Sequence, residues 1–432
     1  MNKVFPKLAT IVGLTITTML MSCYNGNKDL FPAKDGDKWG YINDNGIFVI
    51  TPQYDGAGKF SEGLATVSVG DKSGFINKKG EFVINPIFDC LSTFCEGLAM
   101  ACDGEKIGFI NMQGEWAIYP QFDYAEDFSD GLAKAGNNGK YGFIDKNGVF
   151  VIDQVFDEIW DDGKTFSEEM IPINIDGKWG YYNKKGQMAI KPQFDYACKF
   201  SEGLACVNIN GKSGFVNKEG KMVIEPQFDQ YAYEYSFSDG LAAVKLNDLF
   251  GYINKDGEWV ITPQFEEASP FTDGIAFVKK EPGENIRVSN NEVCYVPAKG
   301  YLIDKTGTRI SDLLFDRVGE QSEGLICVEI NGKWGYVDTK GKLIIEPQFS
   351  TAGGFSDGLA FVGVGDDRNL RQSYRLGVID KKGKFVINPQ FSLISNGFTN
   401  GVAEMVTYNG DCWECYLINK SGKIIAKWVS QK

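Results

Sequence analysis

One glycine recurs along this chain at a near-constant interval, and that recurrence constrains the fold more than any other feature. Gly40, Gly74, Gly108 and Gly142 lie 34 residues apart, and the series continues at Gly180, Gly214, Gly251, Gly300, Gly335 and Gly377, with Tyr416 in the eleventh place. A second series stands six residues later (seven after Gly300), from Gly46, Gly80 and Gly114 to Gly383 and Gly422, and each of its members follows an Asn or Asp by three residues. Phe-Ser-Glu-Gly-Leu-Ala (Phe60 to Ala65, Phe200 to Ala205) and Pro-Gln-Phe-Asp (Pro120 to Asp123, Pro192 to Asp195) recur in the same phase. Four markers in fixed phase define a tandem repeat of about eleven units.

Each marker has a physical reading. Asx-x-x-Gly between two apolar runs signals a hairpin, the Asx side chain capping the turn and the glycine taking a positive φ. Glycine inside a strand marks close approach of another backbone or a ring. Proline after the Val-Ile run is expected to end a strand, because it has no N–H to give to a ladder. Phe-Ser-Glu-Gly is expected to make a tight turn into the next strand. Each unit therefore reads as a three-stranded meander; in the sixth, the strands fall at about Leu204–Ile209, Gly214–Asn217 and Met222–Ile224, with a connector through Phe228.

The burial pattern points to stacking. Ala205, Val207 and Ile209 alternate, as in a half-buried strand, whereas Phe48-Val49-Ile50 and Phe385-Val386-Ile387 are consecutive, which places bulk on both faces. So short a unit cannot cover two faces alone, so neighbouring sheets are expected to stack face to face. Eleven units exceed the usual four to eight blades of a propeller, which favours an open superhelix over a closed ring. The fold class expected is thus all-β: about eleven three-stranded β-meander repeats in an open array, one domain over 30–432.

Asp-Gly-Lys-Trp-Gly-Tyr at Asp176 to Tyr181, Lys-Pro-Gln-Phe-Asp at Lys191 to Asp195 and Phe-Ser-Glu-Gly-Leu-Ala at Phe200 to Ala205 together resemble the WG-containing, or KWG, repeat over nearly the whole chain. The resemblance implies an architecture and no particular activity. The tryptophan stands only at Trp39, Trp179 and Trp334, and Ser73, Ile107, Tyr141, Ser213 and Phe250 replace it elsewhere, so it reads as packing.

The N-terminus has the order of an export signal: Lys3 and Lys7, an uncharged run from Leu8 to Met21, then Leu20-Met21-Ser22-Cys23. The run is short for a membrane span and suited to a signal peptide. Its end resembles a lipobox, the motif cleaved before a diacylated cysteine. Residues 1–22 are therefore read as a lipoprotein signal peptide, Cys23 as the lipidation site (diacylglyceryl and palmitate-type acyl chains), and 23–29 as a short tether. Tyr24 after the cysteine points to an outer-membrane or cell-surface address, with the membrane engaged through that lipid only.

Composition narrows the chemistry. The chain has no histidine, which removes Ser-His-Asp and Cys-His catalysis and every His-containing zinc site. A net charge of −13 disfavours nucleic acid. The repeated Asp55, Asp89, Asp123, Asp157, Asp195, Asp229 and Asp316 read as caps on connectors rather than as paired catalytic acids. The Asn-Lys-Asp-Gly loops lack the dense carboxylates of a calcium loop. Of ten cysteines, Cys90, Cys95 and Cys102 crowd one unit and could form a disulfide; Cys206 and Cys327 read as fillers; the single Cys412-x-x-Cys415 makes neither a zinc nor a redox site. No metal and no cofactor are expected.

Binding is expected where loops depart from the repeat. Two insertions fall between the first and second strands of their units: Lys279 to Lys299, and Gly363 to Leu376 with Arg368, Arg371 and Arg375. Clustered arginines on an acidic protein suit an anion or carboxylate. Trp116, Trp160 and Trp259 read as packing before sugar stacking. The function expected is a non-catalytic cell-envelope lipoprotein, its scaffold binding a protein or glycan. The alternative is an envelope hydrolase using carboxylates, which should break the repeat with a unique polar cluster.

Overall fold

The computed structural model describes residues 29–156, 166–229, 235–280, 284–289, 292–296, 298–365, 375–399, 401–408 and 412–430. They form eleven antiparallel sheets of three or four strands in chain order, plus one two-stranded hairpin. No helix among them is long and apolar enough to cross a membrane.

The second sheet shows the plan: a leading strand Gly56–Ser61, a first strand Leu64–Val69, a second Lys72–Asn77 and a third Phe82–Phe88, each paired to the next. The sequence places the last three of these; the leading strand is additional and makes seven of the eleven sheets four-stranded. It is often only two residues long, as at Tyr124–Ala125 and Tyr196–Ala197, too short to leave a periodic signal.

Asx-x-x-Gly turns join the second and third strands as expected. Asn43 Oδ1 accepts the amides of Asn45 and Ile47, each at 3.0 Å, and Gly46 has φ +82°. The in-strand glycine also behaves as read: a Cβ on Gly74 would stand 2.4 Å from the Ile84 oxygen and 2.7 Å from the Pro86 nitrogen.

That contact corrects the reading of proline. The third strand does not stop at the Val-Ile run; Met222–Asp229 carries Pro226 inside it. The register slips there, from Phe215↔Ile224 to Ser213↔Phe228, so proline sits in an irregular stretch pressed onto Gly214. The third strand lies at the side of the sheet, where a missing N–H breaks no ladder.

Burial on both faces belongs to the second strand, not the third. Gly74, Phe75 and Ile76 are all buried, whereas Phe82 and Val83 are exposed and only Ile84 of that run is buried. Successive second-strand residues serve opposite neighbours: Ile76 packs back among Tyr41, Ile50 and Tyr54 of the first sheet, and Phe75 packs forward with Phe94, Ala99 and Ala101 of the third. Val216 and Phe215 divide in the same way between the fifth and seventh sheets.

By contact density the described structure falls into two units, one holding residues up to Asn137, Asp145–Val149 and Ser356 onward, the other Asn138–Ile144 and Phe150–Phe355. In the second, the fifth to ninth sheets pack in sequence through shared cores. In the first, the sequence of neighbours runs through the chain's own ends. Ile42, the backward-facing residue of the first sheet, packs on Val402, Leu417 and Ile425 of the last. The Trp39 and Trp428 rings meet edge to face at 5.5 Å. Asn419 Nδ2 and Lys423 Nζ donate to the Asp44 and Asn45 carbonyls, each at 3.3 Å.

The expectation of an open superhelix is therefore wrong. Within the first unit the last sheet occupies the seat that a preceding one would take against the first, which is how blades of a propeller meet and not how an open superhelix ends.

Candidate functional site

The first strand begins, and the second strand ends, at one end of each sheet, where the Phe-Ser-Glu-Gly and Asx turns lie. The opposite end carries the hairpin between first and second strands.

At the Asx end the Phe-Ser-Glu-Gly motif does more than turn the chain. Glu62 and Gly63 have φ +51° and +87°. Ser61 Oγ donates to the Phe94 carbonyl of the next repeat at 2.7 Å, and Glu62 accepts from the Gly97 amide at 2.9 Å. The same pair of bonds recurs from Ser201 and Glu202 to Phe237 and Gly240. Lysines of the following Asx turns close the ladder: Lys146 on Glu96 (3.2 Å), Lys218 on Glu168 (3.1 Å) and Lys255 on Glu202 (3.1 Å). Burial works against the charge of Glu168, but Lys218 and the Gly203 amide outweigh it and hold its pKa below the ordinary value. Sequence reasoning missed this stapling role; the available signal was that each such turn keeps a small hydroxyl or thiol residue followed by an acid or amide.

At the hairpin end the repeated aspartates are caps, as read. Asp55 takes Lys38 at 2.5 Å and the Gly70 amide of the next repeat at 2.9 Å; Asp195 takes Lys178 at 2.6 Å and the Asn210 amide at 2.7 Å. Lysine hydrogen bonds, chiefly, depress the pKa values of Asp55, Asp89, Asp195 and Asp229. Asp157 and Trp160 lie outside the described residues. Trp116 and Trp259 stand edge-on to Phe88 and Phe228, as packing residues do.

A disulfide joins Cys90 to Cys102, tying the entry of the third sheet to its first strand. That sheet lacks a leading strand, and the cross-link stands in its place beside the Cys102 N–H to Cys90 carbonyl bond. Cys206 and Cys327 are buried, and burial pushes the Cys327 thiol up to about 11. The Cys415 thiol is raised, chiefly by burial, the opposite of a redox nucleophile.

The first insertion is an extra hairpin, Glu284–Ser289 paired with Glu292–Val296, between strands Ile275–Lys279 and Tyr301–Asp304. Arg375 opens the strand Arg375–Asp380 opposite Val364, half-buried. Arg368, Arg371 and Cys23 lie outside the described residues. Among the described residues no group of three or more Cys, Asp or Glu side chains is arranged to hold a metal ion.

Solved structures resemble the chain only distantly. The tricorn protease is 9% identical with a TM-score of 0.27 over 91% of this chain, which spans half of that protein. Hsv2p of Kluyveromyces lactis is 10% identical (TM-score 0.34; 61% of this chain, 95% of that one), and apo AztD of Citrobacter koseri is 10% identical (0.32; 77% and 91%). Likenesses at this level carry no argument about function. No curated protein sequence matches the chain. The WG containing repeat model matches ten segments from 39–72 to 377–409. With most of its length so matched, and with a blade built from those segments, the chain belongs to the WG containing repeat family.

Proposed function

We propose that this protein is an exported lipoprotein, held at the outer membrane or cell surface through Cys23, whose blades form a non-catalytic scaffold for a protein or glycan ligand. The observation that carries the non-catalytic reading is the commitment of the repeated carboxylates. Those at the Asx end accept backbone amides and lysines of neighbouring repeats, and those at the hairpin end accept a lysine of their own repeat and a backbone amide of the next. A general acid or nucleophile needs a carboxylate presented to substrate, and these are turned onto the fold. The Cys90–Cys102 disulfide supports export, since such links persist outside the reducing cytosol.

The insertions supply the ligand surface in this reading. Both interrupt the first hairpin of a blade, and Arg368, Arg371 and Arg375 would offer planar donors to an anionic group. Replacing Cys23 with Ala tests the anchor: the variant is expected in the soluble fraction or unprocessed, and unaltered membrane attachment would refute it. Replacing the three arginines with Ala tests the ligand surface. Retention of an envelope partner on the immobilised protein is expected to drop with the melting temperature unchanged; unchanged retention, or unfolding, rejects the assignment.

A further inference from the structure

The third strands lie at the sides of the sheets, and their outward positions are polar in most repeats: Gln193, Gln227 and Gln348 precede the terminal Phe, and Lys191, Glu225 and Glu346 precede the proline. The early repeats depart from this. Ile87 replaces the glutamine and is 61% exposed, and Tyr119 stands before Pro120 and is 73% exposed. Ile47 and Val149, 40% and 61% exposed, follow turn glycines where other repeats have Glu81, Lys221 or Lys384. All four belong to the first four blades and to the same contact unit. The repeat does not require them, since the later blades hold these positions with polar residues, Leu314 before Phe315 in the eighth excepted.

The place where the chain enters the fold gives these residues an occupant. Asp29 leads into the first blade with its carboxylate 4.0 Å from Lys78, in the Asx turn that precedes Phe82 and Val83. Six residue steps separate Cys23 from Asp29, and they span at most about 22 Å. An acyl anchor at Cys23 therefore holds the second blade within that reach of the bilayer surface.

We propose that the outer wall of the first four blades, marked by Ile47, Ile87, Tyr119 and Val149, lies against a phospholipid surface. The proposal rests on the lipid anchor above. It adds a second, non-covalent contact that orients the body. Aliphatic side chains with a tyrosine among them suit the headgroup boundary, and the acidic chain favours a zwitterionic over an anionic surface.

The test uses the lipidated protein in phosphatidylcholine liposomes doped with a photoactivatable phosphatidylcholine, with labelled peptides mapped by mass spectrometry. Labelling is expected several-fold above that of the fifth to seventh blades on the third strands carrying Ile87 and Tyr119. The Ile87→Asp/Tyr119→Asp variant is expected to lose that labelling with its melting temperature unchanged. The mass of the Cys23 peptide reads the anchor separately. A diacylated Cys23 with labelling no greater in the early blades overturns the face and leaves the anchor standing. An unmodified Cys23 refutes the anchor and removes the reason for the face. A dimer that the Asp variant splits, with no lipid labelling in the parent, gives the wall to a second copy and overturns the proposal.

Discussion

At the residue scale, glycine serves two distinct purposes in this repeat, and substitution separates them. Gly74 has its Cβ space filled by the Ile84 oxygen at 2.4 Å, so Gly74→Ala is expected to force the two strands apart and cost roughly 1–3 kcal/mol. Gly63 has nothing within 4 Å of a Cβ but a φ of +87°, so Gly63→Ala is expected to lose only ~1–2 kcal/mol, through backbone strain. Thermal melts of the two variants check the order. The aspartate caps give a pH dependence. Asp55, Asp89, Asp195 and Asp229 have folded pKa values below the ordinary carboxylate value, so their stabilisation is complete above about pH 4 and fades as pH falls through the depressed values. Denaturant midpoints are expected to be level from neutrality down to mildly acidic pH and to fall below that range. Asp55→Asn with Asp195→Asn should flatten the acid limb, and an unchanged limb would remove the caps from the account.

At the scale of the element, the turns were the legible part. Asn43, Gly46 and their counterparts announce the Asx hairpin because side chain and backbone needs are local and coincide. What was misread depended on neighbours. Pro226 looks like a stop in isolation, yet it is tolerated where the strand lies at the side of its sheet and its register slips. Phe82 and Val83 look buried because consecutive apolar residues usually are, but the residues that serve two neighbours are Phe75 and Ile76. Ser201 and Glu202 recur in kind at each such turn, but that recurrence does not name their partners, since Phe237 and Gly240 are contacts of the stack rather than of the turn. Ser201→Ala is expected to cost about 0.5–1.5 kcal/mol. Hydrogen exchange should rise at the junction of the sixth and seventh blades in that variant, whereas a change confined to the sixth blade would leave the staple without a role. The candidate arginines were legible only as composition, because a loop that departs from a repeat has no repeat against which to be read.

At the scale of the whole molecule, closure was not written in any one repeat. It rests on the packing of the last sheet against the first, which no single repeat encodes. The seam residues Ile425 and Trp428 belong to a divergent last repeat in which Tyr416 replaces the in-strand glycine. Deleting the last blade, about residues 393–430, bares Ile42 and Trp39 at once. Such a chain is expected to unfold with lower cooperativity and at a clearly lower temperature, with dye-binding apolar surface exposed beforehand. A truncated chain that melts as one sharp transition near the parent temperature would show that the seam contributes little.

The contact between Trp39 and Trp428 also sets an order of events. Nearly the whole polypeptide separates the two rings, so the first sheet meets its partner only when the last strand has been made. At about 5–20 residues per second of synthesis, Ile42 and Trp39 wait on the order of 20–80 s, bare on one side while blade after blade assembles on the other. The first part of the protein to emerge is thus the last to be finished, and its waiting surface is where a holding chaperone would bind.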